Sequence, residues 1–124
     1  MRTFVAIVIG GSLGCWTRYA LTNLLQSIFG RGFPVATLTI NVLGSFLMGF
    51  LFIVTLERVV IDPDLRTGIL TGFLGGLTTF STYAMEMLLL AERGEPLKSA
   101  LYAGLSVGLG LAAAFTGAQF ARAL

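Results

Sequence analysis

Histidine is absent from the 124-residue chain, cysteine occurs once and proline three times. Without histidine there is no imidazole for acid/base work near neutral pH, for an activated nucleophile or for a zinc centre. The lone Cys15 cannot build a disulfide framework. Charge is scarce as well: Lys, Arg, Asp and Glu make up 11% of the residues, against about 25% in an ordinary soluble domain. No GxxxxGK(S/T) phosphate loop is present, so nothing marks an ATP-driven machine. These shortages remove most enzyme classes and also a water-soluble globule. The formal net charge of +2 points to no nucleic acid, because the cations stand singly or in pairs rather than in a run.

What the chain has is apolar sequence, 56% of it, with mean hydropathy +0.89. A hydrocarbon core of about 30 Å takes roughly 20 helical residues. The intervals between charges predict four such helices, at about 3–29, 34–56, 67–91 and 99–121, the first interrupted by Arg18 and the third by Glu86. Helices are required because irregular backbone facing lipid leaves amides unsatisfied. The intervening segments are short, so neighbouring helices pair as antiparallel hairpins in a single transmembrane domain without linkers or internal repeats. Ser12-Leu13-Gly14-Cys15 faintly echoes a lipoprotein cleavage site. Ser12 stands where a large aliphatic residue is needed, however, and the apolar run continues past Cys15.

Four helices put the N-terminus, the second loop and the C-terminus on one face, with Arg2, Arg58, Arg66 and Arg122; Arg31, Arg93 and Lys98 lie on the other. A bias of a single cation is too small to fix orientation by the usual rule. Either the chain inserts both ways or other information orients it. Four helices in 13.2 kDa cannot surround an aqueous path, so transport requires an oligomer. The spacings Gly10/Gly14, Ser45/Gly49, Gly68/Gly72/Gly76 and Gly104/Gly108/Ala112 allow close helix approach, between subunits or within one.

Ionisable groups inside spans are functional candidates, and here they are Arg18 and Glu86. In a water-filled vestibule Arg18 would gather anions; snorkelling to an interface is the plain alternative. For Glu86 the plain alternative is a place at the aqueous end of its helix. Asn41 has an amide that donates either to a passing anion or to a neighbouring helix. Gly72 to Tyr83 puts paired glycines and four hydroxyl residues mid-membrane and predicts a break in the third helix, exposing carbonyls for a cation and amides for an anion. Phe80 and Tyr83 share a face after that break, where positive ring edges can touch an anion without trapping it. Tyr102 and Ser106, one turn apart, extend a polar stripe on the fourth helix.

Three ordered motifs carry a resemblance over essentially the whole chain. Gly10-Gly11-Ser12-Leu13-Gly14-Cys15-Trp16-Thr17-Arg18-Tyr19 resembles GGxxGAxxRY, Thr39-Ile40-Asn41-Val42-Leu43-Gly44-Ser45-Phe46 resembles TxNxxGSF, and Gly72-Phe73-Leu74-Gly75-Gly76-Leu77-Thr78-Thr79-Phe80-Ser81-Thr82 resembles GFxGGxTTFST. The chain is similar to the Fluc (CrcB) family of fluoride channels. That resemblance implies a dual-topology antiparallel homodimer in the bacterial cytoplasmic (inner) membrane, with two fluoride pores and a central sodium ion. By motif position it makes Asn41 a pore donor, Phe80 a ring-edge ligand, Arg18 a vestibule cation, and the Gly75 and Thr78 carbonyls ligands of sodium. Thr39, Ser81, Thr82, Glu86, Tyr102 and Ser106 would form or border the path. The chain departs from the family at Tyr83, where a second phenylalanine is usual, and at Cys15, where alanine is common.

A proton-coupled small multidrug-type transporter is the competing expectation, since it too is a four-helix antiparallel dimer. Its mechanism needs a carboxylate deep in the first helix, and none is there. A non-transporting assembly subunit would use the same polar groups only to join helices.

Overall fold

The computed structural model describes residues 1–124 and is entirely helical. Helix α1 is Arg2–Phe29, and α2 is Val35–Ile53 with a wide π-helical last turn, Val54–Arg58. Helix α3 covers 63–77 as Pro63–Thr67, the π-helical Gly68–Leu74 and Gly75–Leu77; α4 is Phe80–Glu92 and α5 is Pro96–Ala123. Four stretches are long and apolar enough to cross a membrane: Arg2–Phe29, Val35–Arg58, Pro63–Glu92 and Pro96–Ala123. The third begins at Pro63 rather than near 67. Asp62 caps it, accepting from the Asp64 and Leu65 amides at 2.8 and 3.4 Å, and Pro63 supplies a preset φ at the first helical position. The last span starts early for a related reason, with Pro96 in its first turn.

Only 17 of 124 residues are buried, among them the core cluster Ile40, Leu70, Leu74 and Leu77, while many large apolar side chains lie exposed along α1 and α5. A surface of that kind is stable against lipid or another protein face, not against water. The chain is a multi-pass membrane protein.

Glycines set the helix pairing. An added Cβ at Gly10 or Gly14 would strike the carbonyls of Gly68 and Phe73, so α1 rests directly on the α3 backbone. Gly49 faces the Ala114 carbonyl and Gly117 the Phe46 carbonyl, bringing α2 onto α5. These small residues therefore join helices within one chain, whereas Gly104 and Gly108 have nothing within 4 Å.

At the face carrying both termini the charges are engaged. Arg2 pairs with Asp62 at 2.9 Å and with Asp64 at 3.6 Å, and Thr3 donates to Asp64. Arg122 lies 3.5 Å from Glu57, and Arg58 donates to the Arg122 carbonyl. Arg66 donates to Thr55 at 2.7 Å and to the Phe52 carbonyl at 3.2 Å, with its guanidinium 4.6 Å from the centre of the Phe52 ring. Its insertion beside Phe52 and Thr55 accompanies the widened end of α2.

Candidate functional site

Between α3 and α4 the backbone of Thr78 and Thr79 is extended, with ψ of 155° and 117°. The glycines before it stay helical, so the interruption falls on the threonines rather than on Gly75-Gly76. Two extended residues leave backbone groups that the helical ladder cannot serve, and side chains take them up. The Asn41 amide donates to the Thr79 carbonyl at 3.0 Å, and the Thr79 N–H donates to the Asn41 side-chain oxygen at 2.8 Å. The Thr79 hydroxyl accepts from the Thr82 N–H at 3.2 Å, capping α4. Asn41 thus holds a neighbouring helix and keeps one amide hydrogen free.

The same bonds release two carbonyls. The Thr79 and Thr82 N–H groups, which in a continuous helix would reach back to Gly75 and Thr78, are spent on the Asn41 and Thr79 side chains. No hydrogen bond reaches the Gly75 or Thr78 carbonyl.

Two cavities meet at Thr79. One, of about 390 Å³, is lined by Asn41, Ser45, Thr78, Thr79, Phe80, Tyr83 and Ser106. The Ser106 hydroxyl oxygen is buried there without a hydrogen-bond partner. The other, of about 380 Å³, is lined by Arg18, Thr22, Gln26, Thr37, Thr79, Thr82 and Glu86. Arg18 reaches into it from α1 and donates through Nε to the Gly76 carbonyl at 3.1 Å, which steadies the guanidinium beside the extended turn. It makes no ion pair with Glu86, whose Oε1 instead accepts from the Tyr102 hydroxyl at 3.1 Å.

An aromatic column runs beside both cavities. Phe80 stacks on Tyr83 at 5.6 Å between centroids, Tyr83 on Tyr102 at 5.1 Å, and Tyr102 meets the Phe33 ring edge-on at 5.6 Å. Tyr83 and Tyr102 are buried while Phe80 is 80% exposed. The Tyr83 hydroxyl donates to the Ala103 carbonyl of α5 at 3.0 Å.

Of the residues singled out from sequence, Asn41, Phe80, Tyr83 and Ser106 gather at one cavity, and Arg18, Thr82 and Glu86 at the other, with Tyr102 bonded to Glu86. Ser81 and Thr39 are exposed and line neither. Sequence reasoning missed Thr22 and Gln26. Their signal was available, since Arg18, Thr22 and Gln26 recur every four residues and so form one polar stripe on a helix.

The family described as "CrcB-like protein, Camphor Resistance (CrcB)" matches residues 5–118. A relative from Acidithiobacillus ferrooxidans, named fluoride-specific ion channel FluC, is 58% identical over 116 residues, 94% of this chain and 93% of its own. A relative of the same name from Geobacter metallireducens is 45% identical over 124 residues, the whole of both chains. A third of that name, from Methylococcus capsulatus, is 49% identical over 119 residues, 96% of this chain but 52% of its own length. The chain belongs to the CrcB family.

Proposed function

We infer that this chain is the subunit of a passive, fluoride-selective ion channel that lowers cytoplasmic fluoride. Fluoride enters a cell as the neutral acid, dissociates, and leaves through the channel as the anion. The observation that carries this is that two cavities share Thr79, one holding Arg18 among polar groups and the other a largely apolar space with the Asn41 and Ser106 donors in its wall, in a chain whose full-length relatives bear the name of fluoride channels. Arg18 raises the local anion concentration. Beyond Thr79 the free amide hydrogen of Asn41 and the unpartnered Ser106 hydroxyl are neutral donors, and Phe80 offers a positive ring edge. Neutral donors hold an anion weakly enough to let it go, as conduction requires.

An antiparallel homodimer completes the reading. Phe80 and Gly75 are exposed in the single chain, and the four-to-three cation count favours insertion in both orientations. A bacterial cytoplasmic membrane, with lipid against the exposed apolar faces, is the setting. A structural sodium ion fits the chemistry of the released Gly75 and Thr78 carbonyls: two hard oxygen donors per chain, at the C-terminal end of a helix where the dipole favours a cation. Sodium there would supply fixed positive charge at the pairing of the two breaks.

Reconstitution tests the function. Liposomes loaded with potassium fluoride should release fluoride once a potassium ionophore carries the countercharge, and chloride-loaded liposomes should not release chloride. Equal chloride release, or release only with a proton gradient, would replace the channel by a non-selective pore or a coupled transporter.

A further inference from the structure

The cations of the two membrane faces are treated differently by the fold. On the face with the termini, Arg2, Arg58, Arg66 and Arg122 all have partners within the chain. On the opposite face Lys98 pairs with Glu95 at 3.1 Å, but Arg31 and Arg93 are exposed and their side chains make neither an ion pair nor a hydrogen bond. They come from different loops and line one cavity of about 170 Å³, together with Gln26, Phe33 and Glu86. Gln26 and Glu86 also line the Arg18 cavity, which reaches Thr79, so the two spaces are neighbours with these two side chains as a shared wall.

We propose that Arg31 and Arg93 form an anion-gathering mouth, the electrostatic entrance through which anions reach the Arg18 cavity. This rests on the channel reading above. Two unpaired guanidinium groups at an aqueous opening keep their field and their donors available to a passing ion, whereas on the other face Arg2 and Arg122 are offset by Asp62, Asp64 and Glu57, and Arg58 and Arg66 spend donors on carbonyl and hydroxyl oxygens of the chain. In an antiparallel pair each chain turns its mouth to a different side, so both membrane faces receive an equivalent entrance. Glu92, Glu95 and Glu86 are the acids near this face, and of these Glu95 is held by Lys98. Two unit charges roughly 8 Å from an ion raise its local concentration about fourfold when the screening length is about 30 Å, and hardly at all when it is about 3 Å.

Neutralising Arg31 and Arg93 alone would also upset the cation balance that governs insertion. The test therefore compares Arg58→Gln/Arg122→Gln with the same background carrying Arg31→Gln and Arg93→Gln. The first leaves Arg2 and Arg66 against Arg31, Arg93 and Lys98, the second Arg2 and Arg66 against Lys98, each a bias of a single cation. Fluoride current is measured at fixed low fluoride, with an impermeant salt setting ionic strength at about 0.01 M and then about 1 M. The expected result is an about fourfold lower current in the four-site variant at low ionic strength, closing to equality at high. Equal currents at low ionic strength, or a deficit that persists at high, overturn the mouth. Absence of fluoride current from the unsubstituted chain overturns the channel reading instead.

Discussion

Tyr83→Phe removes one hydroxyl from a ring that is buried between Phe80 and Tyr102 and leaves the stacking surfaces unchanged. The hydroxyl donates to the Ala103 carbonyl at 3.0 Å, tying the aromatic column to α5. Ala103 lies inside α5 and keeps its own helical donor, so the substitution orphans no acceptor. A helix–helix hydrogen bond in a membrane is worth about 0.6 kcal/mol on average, and a typical protein hydrogen bond up to about 1.5 kcal/mol. If the column must shift for an ion to pass the Phe80 edge, that energy enters the barrier, and a gain of about threefold to tenfold in fluoride flux follows. The assay is initial fluoride efflux from liposomes at equal protein density, with size exclusion confirming that folding and assembly are intact. Phe80→Ala in the same assay should lower flux, because it removes the exposed ring edge. Unchanged or reduced flux in Tyr83→Phe refutes the claim that the Ala103 tether hinders the path.

Asn41→Ala leaves both the Thr79 N–H and the Thr79 carbonyl without their partner; a loss of about 2–4 kcal/mol is expected, read as a lower unfolding temperature in detergent together with lost fluoride flux. Two lysines added to the 59–61 segment, on the face that already has four cations, should force a single orientation and abolish flux, with recovery on co-expression of an oppositely biased copy. The Asp64 N–H, with the Leu65 N–H and Arg2, holds the Asp62 carboxyl below the usual carboxylate range. A carboxylate depressed on folding contributes stability that is present above its unfolded value of about 3.9 and lost as pH falls through its lower folded value. Acidification below about pH 4 should therefore lower the unfolding temperature, and less so in Asp62→Asn, which keeps a cap acceptor but not the charge.

The four spans were legible because charge is so rare that its intervals mark the membrane. The start of α3 was displaced because charge spacing ignores the local signal of Asp62-Pro63, a cap followed by a first-turn proline. Gly10 and Gly14 were legible as a close-packing face, but not that Gly68 and Phe73 would be their partners, since small-residue spacing does not name what it meets. The polar character of Asn41 was visible, yet its clamp on Thr79, 38 residues away, depends on how α2 lies against the extended turn. The tether from Tyr83 to the Ala103 carbonyl is of the same kind: backbone acceptors carry no sequence signature.

The most direct test of a fluoride-selective, uncoupled path is the zero-current voltage of the reconstituted protein in a planar bilayer. With a tenfold fluoride gradient, symmetrical chloride and equal pH on both sides, such a path gives a zero-current voltage of about 59 mV with the sign set by fluoride, the limit for a singly charged ion. A voltage near zero, or one that follows an imposed chloride or proton gradient instead, would contradict it.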